Sequence, residues 1–230
     1  MENLLSGMLG AHIVAGTLAL LTGPVAMLTL KGGRNHRLWG KVYFYSMVVV
    51  FLTAVVLSVF KDIPFLLMIA FLSIYLVVSG YRALYLKKLH AGQKAAIGDW
   101  IFLIVSLAGC MALVGWGVYR IFVLSSNFGI VGIALGLLGC RLVYKDIKKF
   151  VVPPKDKDHW LFSHVSGMGG GYIATFTAFA VVNITFLPGP VIWILPAVIG
   201  GTLIARWARE HRKGKTRAVV TQVTESNSQQ

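Results

Sequence analysis

Four histidines carry most of the chemical interest of this chain. His12 stands in the apolar run AHIVAGTLALLTGP (11–24), His36 opens HRLWGKVY (36–43), His90 follows a pair of lysines, and His164 opens HVSGMGGGY (164–172). Imidazole changes charge near neutral pH and, when neutral, ligates metals and haem iron through a ring nitrogen. An ionisable ring inside an apolar run is costly enough to count as a functional candidate. Binding of a cofactor, a b-type haem or a quinone, is the chemistry these residues point to.

Small residues accompany two of the histidines. His12 heads a helical face that continues with Ala15, Ala19, Gly23 and Ala26, and His164 heads one with Gly167, Gly171, Ala174 and Ala178. A smooth groove beside a histidine would suit the flat edge of a cofactor. The same pattern is ordinary close packing of membrane helices. Gly129, Gly132, Gly136 and Gly139 form such a stripe with no histidine, so packing alone produces stripes in this chain. Gly129, Gly132, Gly136, Gly167 and Gly171 are therefore expected at helix contacts. No Ser–His–Asp or Cys–His arrangement is brought together, and no catalytic residue is assigned.

The elements that position these residues follow from composition. The 230 residues are 57% hydrophobic and only 13% charged, with a mean hydropathy of +0.74. A soluble domain of this size could not cover its surface with so few polar groups. Runs of about 20 apolar residues span a bilayer, and seven are expected, at 6–29, 41–60, 64–86, 100–122, 127–145, 160–185 and 189–207. The fold expected is an all-α transmembrane bundle over 1–207, followed by a basic, then polar, disordered cytoplasmic tail over 208–230. MENLLSGM lacks the basic start of a signal peptide, so the first run is expected to remain as a helix.

Charge sets the expected orientation. Of the 22 Lys and Arg residues, all but Lys61 and Arg120 fall in alternate connections or in the tail. By the positive-inside rule the N-terminus is outside and the C-terminus cytoplasmic, in the cytoplasmic membrane of a bacterium. Arg34, Arg37 and Lys41 then meet anionic lipid headgroups. Nucleic acid is not an expected partner, since no basic face stands on a soluble domain. All eight acidic residues fall near helix ends, in loops or in tails, which argues against a carboxylate metal cage or proton relay. Cys110 and Cys140 read as buried thiols rather than a disulfide.

Depth limits how the histidines combine. His12 would lie about 8 Å outward of the midplane and His164 about 10–12 Å inward, so about 20 Å separates them along the membrane normal. One iron cannot take both. An inner site would join His164 to His36 or His90, while His12 has no second histidine at its level. Three functions stay open: a histidine-based redox or cofactor-binding protein, a small-molecule or lipid transporter, and a non-catalytic partner or sensor subunit.

The run from HIVAGTLALLTGP to HRLWGKVY, with its small-residue helix, Gly-Pro, basic loop and HR-x-x-G-x-x-Y, resembles the bacterial membrane family catalogued as domain of unknown function 2306. SHVSGMGGGYIATFTAF (163–179) also looks like that family's second histidine-bearing helix. The resemblance covers roughly 8–205. It implies a polytopic helical membrane protein and marks His12, His36, Arg37, Gly40, Tyr43 and His164 as matching positions. It assigns them no roles.

Overall fold

Long apolar runs become helices because only a helix satisfies its own backbone polar groups in hydrocarbon. The computed structural model describes residues 2–228, with side chains described through 213. Its elements are α1 (Glu2–Leu28), α2 (Arg34–Phe60), α3 (Pro64–Arg82), α4 (Ile97–Phe122), α5 (Gly129–Val151), α6 (His159–Asn183) and α7 (Gly189–Ser228). Two short 3-10 turns, Ala83–Tyr85 and Leu89–Ala91, lie between α3 and α4. No strand occurs among the described residues. Of the tail expected to be disordered over 208–230, α7 includes the residues through Ser228, and its side chains past 213 lie outside the described ones.

Six helices are long and apolar enough to cross a membrane by length and composition, and α5 is the exception. Its apolar run stops at Cys140, before Arg141, Lys145 and Asp146. It nevertheless lies alongside α4 from end to end. A Cβ on Gly129 would stand 3.0 Å from that of Arg120, and the Phe150 ring meets that of Trp100 at 5.6 Å. α5 therefore occupies the same slab as α4, with a polar final third.

Several helices are longer than the apolar runs that announced them, and two of these extensions bear on the site. α2 begins at Arg34, not at 41, so HRLWGKVY is helical and His36 lies in its first turn. α5 continues to Val151, so Asp146 is a residue of a helix interior rather than of a loop. Interfacial charges end an apolar run without ending a helix.

Glycines set where helices cross. Gly80 on α3 and Gly167 on α6 meet backbone to backbone: a Cβ on Gly167 would stand 2.5 Å from Gly80 Cα. On α5, Gly136 faces the Cys110 carbonyl and Gly132 faces Trp116 and the Leu113 carbonyl of α4. Gly171 faces Val77 and the Tyr43 hydroxyl. The buried stripe of α6 runs Gly167, Gly171, Thr175, and Ala178 is exposed. The groove beside His164 is thus filled by α3 and α2, as packing requires.

Each end of the bundle carries aromatics. At one end Phe65 stacks on Trp116 at 4.9 Å and meets Trp193 at 5.0 Å. At the other, Phe162 meets Trp207 at 5.9 Å, and Lys87 lies over the Trp160 ring. The second end is the one rich in Lys and Arg.

Pro24 lies inside α1 and removes the N–H that would have bonded the Leu20 carbonyl. The Tyr172 hydroxyl donates to that carbonyl at 3.3 Å. Tyr172→Phe is expected to cost about 1 kcal/mol, the usual worth of one such bond. Thermal unfolding in detergent checks this, and an unchanged midpoint would contradict it.

Candidate functional site

The basic end of the bundle brings two histidines together. α1 ends at Leu28, so its last carbonyls have no partner within the helix. A tight turn follows, with Gly32 in the left-handed region at φ 76°, and α2 starts at Arg34. His36, in that first turn, donates its Nδ1–H to the Ala26 carbonyl at 2.8 Å. His164 does the equivalent on α3, which ends at Arg82: its Nδ1–H meets the Gly80 carbonyl at 3.0 Å. A carbonyl only accepts, so both rings are protonated at Nδ1.

The two rings lie 6.2 Å apart, centre to centre, with planes at 73°. Both are half-buried. Each has its Nδ1 fixed by a helix end, and among the described residues neither Nε2 makes a hydrogen bond. A backbone carbonyl on the second nitrogen is the usual support of a ligating histidine, because it fixes the tautomer and the ring. The surroundings are cationic, with Lys31 and Lys87 close enough to act on His164.

The other histidines go elsewhere. His12 bonds through Nδ1 to the Thr53 hydroxyl at 2.9 Å. Thr53 is 17 residues beyond His36 on α2, about 25 Å along the helix. His12 and His164 thus belong to opposite halves of the bundle. His90 donates to the Lys87 carbonyl and its ring faces His159 at 5.7 Å, not His164. Arg34, Arg37 and Lys41 are exposed at the basic end.

A polar chain that the sequence did not announce lies on the far side of the α3–α6 crossing. The Tyr75 hydroxyl donates to Asp146 at 2.8 Å. Lys149 pairs with Asp146 at 2.6 Å and donates to the Ser163 hydroxyl at 2.8 Å. Arg82 holds Asp99 through two bonds, 2.6 and 3.0 Å. Only the Asp–Lys spacing of three was a local signal, and it is common on exposed faces. Asp146, expected just beyond the run 127–145, lies inside α5, its side chain 19% exposed. Its partner Tyr75 is buried near the middle of α3.

Among the described residues, no group of three or more His, Cys, Asp or Glu could hold a metal ion. Cys110 and Cys140 are free thiols.

Comparison with known proteins agrees with this architecture. No curated protein and no solved structure matches the chain. The model of one family, described as predicted membrane proteins, matches residues 9–142. The match includes His12 and His36 and ends before His164. It covers more than half of the chain, and this protein belongs to the membrane protein family catalogued as domain of unknown function 2306.

Proposed function

We propose that this protein is a membrane redox protein that holds one b-type haem between His36 and His164. The observation that carries this reading is the paired geometry: two imidazoles, each tied at Nδ1 to a helix-end carbonyl, with ring centres 6.2 Å apart. Two imidazoles on opposite sides of one metal, with metal–nitrogen bonds of about 2.0–2.1 Å, have ring centres about 6 Å apart. Two protein ligands are too few for a protein-only metal site. A porphyrin brings the other four nitrogens itself.

Two further features suit such a group. Gly40 stands one turn along α2 from His36 and has nothing within 4 Å of where its Cβ would be. Lys31 and Lys87 offer cations to the carboxylates at the edge of the macrocycle. A quinone fits less well. Its carbonyl oxygens need a donor, and with Nδ1 engaged each Nε2 only accepts. A haem held by two imidazoles supplies one-electron transfer. His36 and His164 would hold it through their Nε2 atoms, and the cations Lys31 and Lys87 would face its anionic side. The test is haem content of the purified protein, expected at about one per chain and dependent on both histidines.

In this reading the protein sits in the bacterial cytoplasmic membrane with the histidine pair at its cytoplasmic face. Support comes from the gathering of Lys and Arg at that end. A reporter fused after residue 230 is expected to be active only as a cytoplasmic reporter. Activity as an exported one would overturn the orientation. A transporter reading draws on the part-buried Asp146–Tyr75 bond instead, and flux into proteoliposomes is its assay.

A further inference from the structure

Where α6 and α7 meet, the bundle carries an apolar groove of about 430 Å³. We infer that this groove holds one acyl chain of an anionic phospholipid from the leaflet at the basic end, with the headgroup phosphate on Arg206.

The groove follows from how the two helices touch. They close along one seam, where a Cβ on Gly200 would collide with Ile173 and one on Gly169 would stand 2.9 Å from Ile204 Cδ1. Beside the seam, Ala180 is 2% exposed and forms part of the floor, while Phe176 and Leu195 are 44% exposed and form rims. Tyr172 is the one lining residue with a polar side chain, and its hydroxyl is turned to the Leu20 carbonyl of α1.

Depth and shape name the occupant. Both helices are long and apolar enough to cross a membrane, so the groove opens to hydrocarbon. A peptide segment there would bury unpaired backbone groups. From Ile192 to Ile204, both on the wall, α7 rises about 18 Å. That is slightly more than half of a hydrocarbon core about 30 Å thick, the reach of one chain within one leaflet. Spread over that length, the volume gives a mean section of about 24 Å², or about 5 Å across. Carbon atoms in contact sit about 3.5–4.0 Å apart, so one methylene chain fits. A helix of a second copy, about 10–12 Å across, does not. A chain seated in the groove is touched on its sides as well as its base, which a flat helix face does not offer.

One end of the groove is basic. Leu203 and Ile204 line that end on α7, and Met27 lines it on α1. Arg206 follows Leu203 by three residues, on the same helix face, and is exposed. Among the described residues it makes no hydrogen bond and no ion pair. Lys31 lies one turn past Met27, and its ammonium donates to the Met27 carbonyl. A phosphodiester at this mouth meets a cation from each side. Glu210 stands one turn beyond Arg206, further from the hydrocarbon, with Arg209 and Lys213 near it in the chain. Basic side chains at a membrane surface favour anionic over zwitterionic lipids.

The full-length protein in detergent is titrated with phosphatidylglycerol, or with phosphatidylcholine of the same chains, and retained lipid is counted by native mass spectrometry. One phosphatidylglycerol per chain is expected, bound about fivefold more tightly than phosphatidylcholine. Arg206→Gln is expected to abolish that preference and leave phosphatidylcholine binding as in the wild type. Leu195→Trp, which fills the groove from its rim, is expected to weaken both lipids about tenfold. Val105→Trp, on the exposed face of α4, and Lys148→Gln, at the basic end of α5, are expected to change neither. Lys31 also acts on His164 and is left unchanged. If Leu195→Trp does not fold, Arg206→Gln still decides. Equal retention of the two lipids, wild-type preference in Arg206→Gln, or wild-type affinity in folded Leu195→Trp would overturn the inference. So would displacement by glycerol phosphate, which has the head without the chain. A dimer in detergent that Leu195→Trp makes monomeric would place a second copy in the groove and overturn it as well.

Discussion

Replacing Gly167 by valine is expected to lower the stability of the bundle by about 3 kcal/mol, the upper end of overpacking costs, and to empty the histidine site with it. The reason is what the new Cβ would meet. It would stand 2.5 Å from Gly80 Cα, 2.6 Å from Gly80 N and 2.7 Å from the Leu76 carbonyl. These are backbone atoms, which cannot rotate aside as a side chain would. α3 and α6 must separate. His164 lies one turn before Gly167 and bonds the carbonyl of Gly80 itself, so separation breaks the contact that orients its ring. The control is Gly115→Ala, where a Cβ has nothing within 4 Å. Alanine there is expected to stabilise the helix by about 0.5–1 kcal/mol. Denaturant unfolding in detergent compares the two. A Gly167→Val protein as stable as wild type would contradict the close crossing.

The helices were legible because their signal is redundant. Each crossing is a long apolar run, and the glycine stripe of α5 follows helical spacing. What the sequence hid was decided at the interface. Charged residues at 34–40 and 146–149 read as loops because a hydropathy window counts charge as an ending. In the fold they extend α2 and α5 beyond the apolar run. That extension carries His36 into a first turn, where it meets α1 and α6. It also turns Asp146 inward to Tyr75, a partner 71 residues away that no local periodicity could suggest. Depth arithmetic separated His12 from His164 correctly, because rise per residue is fixed. It could not choose between His36 and His90. That choice depended on the turn after Leu28 and on the 3-10 turns after Arg82, whose geometry apolar patterning does not encode. On α6 the stripe beyond Gly171 passes through Thr175, because the neighbours there are Tyr43 and Met47 of α2.

Loss of either histidine of the pair is expected to have the largest functional effect of any single change. In the proposed reading each would hold the haem through its Nε2, and each is held at Nδ1 by one carbonyl. Removing a partner that merely orients a ligand already costs 10–100-fold in metal affinity, so removing the ligand should cost at least about that much. His12 bonds Thr53 in the other half of the bundle, and His90 faces His159. Neither should matter to the same site. The measurement that decides is the reduced-minus-oxidised absorption spectrum of the full-length protein purified from haem-replete cells. It is recorded for the wild type and for His12→Ala, His36→Ala, His90→Ala and His164→Ala. The account predicts the bands of a two-imidazole b haem in the wild type, His12→Ala and His90→Ala. It predicts their near-complete loss in His36→Ala and His164→Ala proteins that still fold. A wild-type protein with no haem band, or bands that survive in His36→Ala and His164→Ala, would contradict it.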